Sequence, residues 1–284
     1  MPKILSHILL IAIIVITFYY SAYCQKRWQG GFMAYPQACW ALNSTDRKVS
    51  NDSLKYEPTY GVAFALKGGY SFNSFIGLGA NIIYSSQGQD NAYFYRLSGS
   101  KDSTVRVLNQ LRLRYLKIPI LFKVNTNANQ KLSIGAQIGP QLDILTSIDE
   151  SNNDTRYFYP SPPRIIYTNF PERIHTFHRI NLSLATSLDL DIKIHFNLKM
   201  NIQIRTDYGF LDIENKDASF YVTENGVTRQ VKYYHYTPPI TPNYTHQRAY
   251  VEGRSSTHIL TLGLGIGFTY YLMPDFDYIK KRKN

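Results

Sequence analysis

"RINLSLATSLDLDIKIHFNLKMNIQIRTD", residues 179–207, alternates apolar and polar side chains over most of its length. A period of two reads as β-strand, because successive Cβ atoms of a pleated chain point to opposite sides. One face carries Ile180, Leu182, Leu184, Leu188, Leu190, Phe196, Leu198, Met200, Ile202 and Ile204. The other carries Asn181, Ser183, Ser187, Asp189, Asp191, Asn197, Lys199, Asn201, Gln203 and Arg205. A break near Lys193, with a bend over 191–194, divides the stretch into two strands. Alternation alone leaves two architectures open, a soluble sheet with its apolar face inward and a membrane barrel with its apolar face outward.

The same reading yields eight strands, over 28–43, 57–70, 75–86, 110–124, 131–146, 178–191, 195–210 and 257–272. Each exceeds the roughly 9 to 11 residues a tilted strand needs to cross a bilayer. Soluble strands average about five or six. The connections alternate in length: 71–74, 125–130 and 191–194 are short, whereas 44–56, 87–109, 147–177 and 211–256 are long. That is the pattern of an up-and-down barrel with tight periplasmic turns and long extracellular loops. An even number of strands returns both chain ends to the periplasmic side.

Glycine placement favours the inside-out arrangement. In "HILTLGLGIGFTYYL" (258–272), Leu260, Leu262, Leu264, Ile266, Phe268 and Tyr270 stand opposite Thr261, Gly263, Gly265, Gly267 and Thr269. Glycine is a poor choice for a solvated strand face but relieves crowding inside a narrow eight-stranded barrel. The expected fold is therefore an all-β, eight-stranded antiparallel transmembrane barrel. Its interfacial aromatics are Trp28, Trp40, Tyr70, Phe72, Phe75, Tyr84, Tyr270 and Tyr271. A soluble ligand-binding barrel with these rings in its core is the alternative.

The 284 residues include 24 tyrosines and carry a formal charge of +11. The body of the chain contains no apolar run of the length a helical span needs. Residues 1–24, "MPKILSHILLIAIIVITFYYSAYC", have the layout of a secretory signal, with cleavage after Cys24 leaving Gln25 first. An uncleaved anchor and a lipoprotein acylated on Cys24 are alternatives; in the latter, Tyr23 occupies a position that wants a small residue. The barrel domain is then 25–273 and a basic periplasmic tail 274–284. Cleavage leaves Cys39 as the one thiol, a small apolar filler rather than half of a disulfide.

In "LRLRYLKIPILFKVNTNANQKLSIGAQIGPQLDIL" (111–145), Tyr115, Leu116, Ile118 and Pro119 precede a short turn and then Gly139 and Pro140. In this the chain resembles the PorT-like outer-membrane β-barrel family of Bacteroidetes. The resemblance implies an outer-membrane location, an eight-stranded barrel and, for one branch, a part in a secretion and gliding assembly. The chain departs from the pattern in continuing past Leu272 with "MPDFDYIKKRKN" and in its long fourth loop.

The inward face would carry Lys67, Lys117, Lys123, Gln137, Gln141, Asp143, Asp189, Asp191, Lys199, Arg205 and Asp207. Mixed signs point to a network of ion pairs and hydrogen bonds that fills the lumen, since buried charges are tolerated when paired. A proton or ion path is the functional alternative. The fourth loop contains "YVTENGVTRQV" (221–231), a β-hairpin with Asn225-Gly226 suited to a type I′ turn. Tyr233, Tyr234, Tyr236, Tyr244, Arg248 and Tyr250 follow among prolines. Such residues suit a recognition surface for an extracellular ligand, or else pack the loop onto its own hairpin.

His175, His178, His235, His246 and His258 lie near loop ends and invite a loop-end hydrolase or acyltransferase. No nucleophile motif or metal-ligand spacing accompanies them, so rim histidines are the simpler reading. No catalytic residue, cofactor or metal is expected. Scattered cations on an exported chain argue against nucleic acid as a partner. The expected partners are outer-membrane lipid and other envelope proteins, with an anionic surface or acidic protein for the basic tail.

Overall fold

The computed structural model describes residues 27–44, 54–96, 103–126, 128, 130–158, 161–170, 177–215, 219–224, 227–232 and 255–272. The expected signal segment, the basic tail and the six fourth-loop recognition residues lie outside them. The described strands are β1 (Arg27–Leu42), β2 (Leu54–Ser71), β3 (Ile76–Arg96), β4 (Ser103–Asn125), β5 (Leu132–Phe158), β6 (Ser161–Phe170), β7 (Ile180–His195), β8 (Leu198–Gly209), β9 (Ser219–Glu224), β10 (Val227–Lys232) and β11 (His258–Tyr271). Eight of them close into one antiparallel barrel in the order β4-β3-β2-β1-β11-β8-β7-β5, with β5 pairing back onto β4.

Barrel closure settles which face of 179–207 is inside. Asn181, Ser183, Ser187, Asp189, Asp191, Lys199, Asn201, Gln203 and Arg205 are buried, while Ile180, Leu182, Leu188 and Ile204 are exposed. The anticipated shift near Lys193 is present as a register irregularity, but the bend expected over 191–194 lies later, because β7 runs on to His195 before a turn at Phe196–Asn197. A bulge between Lys193 and His195 restores even-to-even pairing, such as Ile192↔Met200, so apolar residues stay outward on both strands.

The strands do not stop where their membrane pattern does. In place of long irregular loops over 87–109 and 147–177, β3 and β4 pair up to Arg96↔Thr104 and β4 and β5 up to Ser103↔Phe158. The upper half of β5 then pairs with β6, from Glu150↔Phe170 to Phe158↔Ser161. On the other flank, Leu54–Pro58 of β2 pairs with β3 from Tyr93 to Gln89. A five-stranded sheet therefore rises above one side of the barrel. The expected fourth-loop hairpin is present as β9 and β10, with Glu224 opposite Val227; its Asn225-Gly226 turn lies outside the described residues.

Strand β4 records where the environment changes. From Leu116 to Val124 its even-numbered residues are apolar and outward, with Ile120 and Phe122 exposed, while Lys117 and Lys123 are buried. Nine residues at about 3.3 Å each and a tilt of about 40° span about 23 Å, the height of an apolar barrel belt. Above a register shift between Arg114 and Tyr115 the polarity inverts, with Leu111, Leu113 and Tyr115 buried and Arg112 and Arg114 outward. The outward arginines pair across the sheet, Arg112 with Asp90 and Arg114 with Asp149.

Aromatics gather at the two ends of the belt. Trp28 meets Tyr70 at 4.9 Å and Tyr70 meets Phe72 at 5.4 Å between ring centroids at the short-turn end. Tyr208 and Phe210, 5.7 Å apart, sit at the long-loop end. Tyr271 is a correction: it is 5% exposed and lies inside the barrel mouth, because odd-numbered residues of β11 face inward.

The tyrosine–proline and glycine–proline segments meet face to face. Lys117 pairs with Asp143 and Pro119 with Gln141, which sets Gly139 and Pro140 beside Leu121 and Ile120. A Cβ on Gly139 would collide with the carbonyl oxygen of Ile120. Gly139→Ala is accordingly expected to destabilise the barrel by about 1–3 kcal/mol, the usual range for overpacking, read as a lower urea midpoint for refolded protein. An unchanged midpoint would mean that β4 and β5 part there without strain.

Candidate functional site: a filled lumen beneath an open sheet

The lumen has two unlike walls. Long polar side chains come from β4, β5, β7 and β8, whereas β1, β2, β3 and β11 supply mostly small ones, among them Gly31, Ala63, Ala65, Gly79, Gly263, Gly265 and Gly267. The small wall makes room for the long one. A side chain at Gly265 would meet the ring of Tyr35, and one at Gly267 the backbone and side chain of Met33.

All of the anticipated inward residues line the lumen, Lys67 half-buried and the others buried. They form two linked clusters. In the upper cluster Asp207 accepts from Lys117 Nζ at 2.9 Å and from Arg205 Nε at 2.8 Å. Arg205 also donates to Gln141, Gln141 to Asp143 at 2.7 Å, and Ser183 to Asp143. In the lower cluster Lys123 lies 3.2 Å from Asp191 and 4.0 Å from Asp189, and Asn201 donates to Asp191 at 2.6 Å.

Between them, Asp189 accepts from both Gln137 and Gln203, and Gln203 in turn accepts from Tyr35. Lys199 donates to the carbonyl oxygen of Ala128 in the turn after β4, and its ammonium stands 5.3 Å from the Tyr271 ring centroid. That turn folds against the short-turn mouth, with Ala128 8% exposed. Tyr35, Gln203 and Ser183 were not singled out from the sequence as network members. A readable signal existed for Tyr35, which shares the inward face of "GGFMAYPQACW" with Gln37 and Cys39 and stands near the glycines of β11.

The upper lumen is closed by apolar packing. Cys39, Leu111, Leu113, Tyr115, Leu145, Ile148, Phe177, Ile213 and Ile259 form one buried cluster, with Cys39 a free thiol. It is an ordinary soluble-type core seated where the strands emerge from the belt.

Polar contacts at the rim join the loops. Asn43 donates to the carbonyl oxygen of Ser255 at 2.9 Å and to Thr257 Oγ1 at 2.7 Å, and Asp212 accepts the backbone N–H groups of Glu214 and Thr257. His258 stacks on Tyr208 and directs Nδ1 at the Gly209 carbonyl oxygen, while His178 is exposed. Asp212 thus caps backbone at the rim. His175, His235 and His246 lie outside the described residues. Among the described residues, no group of three or more His, Cys, Asp or Glu side chains is placed to hold a metal ion.

An apolar belt around a polar, closed lumen defines an integral membrane β-barrel. The family model described as "Outer membrane protein beta-barrel domain" matches residues 27–215, and the chain belongs to that family. The protein is an outer-membrane barrel, with its short turns toward the periplasm and its long connections outside. None of the curated proteins matches the chain.

Solved structures similar to it include the outer membrane protein OprG from Pseudomonas aeruginosa, at 12% identity over 87% of this chain and 95% of that one, with a TM-score of 0.38. Neisserial surface protein A shares 8% identity over 87% and 98%, TM-score 0.36. The outer membrane protease OmpT from Escherichia coli shares 10% over 87% and 97%, TM-score 0.32.

Proposed function

We propose that this protein is a plugged, non-enzymatic outer-membrane scaffold that holds an extracellular β-sheet out for docking with other envelope proteins. The observation that carries this reading is the division of labour along β3, β4 and β5. Inside the belt they enclose a lumen occupied by paired charges and an apolar cap; above it they continue as paired strands joined by β6. A barrel built for conduction would keep the lumen open, and eight strands give an interior just wide enough for side chains to fill.

Residues 1–24 act as the export signal, 25–273 form the barrel domain and the basic 274–284 tail faces the periplasm. In the fourth loop Tyr233, Tyr234, Tyr236, Tyr244, Arg248 and Tyr250 provide aromatic and cationic anchors of the kind that dominate binding surfaces. An extracellular ligand engaged there and a secretion or gliding assembly of the PorT-like kind are the partners this reading favours.

Affinity purification of the tagged protein from detergent-solubilised outer membranes is expected to enrich envelope proteins, and deletion of 216–254 to remove part of that set. Failure to enrich any envelope component would sink the docking role. In planar bilayers the purified barrel is expected to give no stable single-channel steps. Reproducible steps would make the lumen a conduit instead.

A further inference from the structure

The level just above the apolar belt carries a cation without a counter-charge on the outer surface. Register sets Leu116, Ile144 and Ile180 side by side on β4, β5 and β7, the last apolar row of these strands. Immediately above it come Arg114, Thr146, His178 and Arg179. Thr146 donates its hydroxyl to the Arg114 carbonyl oxygen at 2.8 Å, and the Leu145 N–H donates to the Arg179 carbonyl oxygen at 2.8 Å. The two arginines therefore flank β5 at one height, two strand spacings or about 10 Å apart.

They differ in what engages them. Arg114 donates to Ser147 Oγ at 3.2 Å and pairs with Asp149, which lies higher on β5. Two residues above it on β4, Arg112 is held by both carboxylate oxygens of Asp90. Arg179 and His178 are exposed, and among the described residues no carboxylate lies within ion-pair distance of Arg179. On the β8 side, Asp212 accepts the backbone N–H groups of Glu214 and Thr257. A guanidinium at this height stands where headgroups begin, and its paired N–H donors match the oxygens of a phosphate.

We propose that Arg114 and Arg179 hold between them the phosphate of an anionic lipid of the outer leaflet. The acyl chains lie down the exposed column of Ile180 and Leu182, with Phe210, bonded through its N–H to the Leu182 carbonyl oxygen, beside them. Cations directly above an apolar face select a lipid rather than a free phosphate, since each half of the ligand meets its own kind of surface.

The test is native mass spectrometry of refolded full-length barrel in a non-ionic detergent, titrated with lipid A, with the same acylated disaccharide lacking phosphate, or with inorganic phosphate. One lipid A is expected to stay bound per barrel, while inorganic phosphate does not compete. The phosphate-free lipid and the Arg179→Gln variant are each expected to weaken binding about tenfold, the loss of one charge-assisted interaction. Arg112→Gln removes the same charge away from the site and is expected to leave lipid A binding unchanged. Equal binding of the two lipids, full binding by Arg179→Gln, or equal losses in the two variants would overturn the proposal. Competition by inorganic phosphate would make this a free-anion site and refute the lipid. Should Arg179→Gln fail to fold, the comparison of the two lipids on the wild-type barrel decides.

Discussion

Asp207→Ala is expected to lower the unfolding free energy of the refolded barrel by about 3–5 kcal/mol, the range for removing one partner of a buried ion pair. Asp207 is the shared acceptor of Lys117 and Arg205, and all three side chains are nearly inaccessible. Truncation leaves two cations facing each other, and among the described residues no other carboxylate is in ion-pair contact with either. Urea titration in detergent, followed by fluorescence of Trp28 and Trp40 and by heat-modifiable migration, gives the difference. The double variant Lys117→Met/Asp207→Leu is expected to recover part of the loss, because it removes one of the two stranded charges and leaves Arg205 held by Gln141. Wild-type stability in Asp207→Ala would mean that the pair is solvated and the lumen wetter than its packing indicates.

Leu188→Arg is expected to cost about 2–4 kcal/mol and to impair assembly, because Leu188 lies midway along β7 on the lipid face, where a cation meets hydrocarbon. Leu188 is 61% exposed and pairs with Ile204, itself opposite Leu264, so the substitution falls in a continuous apolar row. Normal insertion with unchanged heat-modifiable migration would reverse the assignment of inside and outside.

How much of this was legible beforehand depended on whether the information was local. The two faces of 179–207 could be read because alternation is a property of neighbours in the chain, and the glycines of 258–272 could be read because a solvated face does not favour them. The turn at Phe196–Asn197 was misplaced because the bulge that keeps the phase is a property of strand pairing. The extended pairing of 87–109 and 147–177 was hidden for a similar reason, since those strands are stabilised by partners far away in the chain.

The apolar cap left a visible trace in "LRLRYLKIP", where arginines occupy the face that Leu116 and Ile118 take further along. Arginines on that face do not fit hydrocarbon, so the change of environment could have been placed within a residue or two. Which acceptor each lysine finds could not be read this way, because Lys117 and Asp207 are 90 positions apart.

The change of partner along β5 has a further consequence. Up to Ile144 that strand is bound on one side by β7, and from Glu150 upward by β6, so the cylinder closes low and opens high. Among the described residues, Leu54–Pro58 of β2 and Ser161–Phe170 of β6 each pair on one side only, as the two margins of the raised sheet. Hydrocarbon would make such margins prohibitive, because nothing there can satisfy a bare N–H or C=O. Outside the bilayer, water takes that role. The height at which β5 exchanges β7 for β6 therefore lies above the hydrocarbon, a level set by backbone pairing independently of any side-chain hydrophobicity.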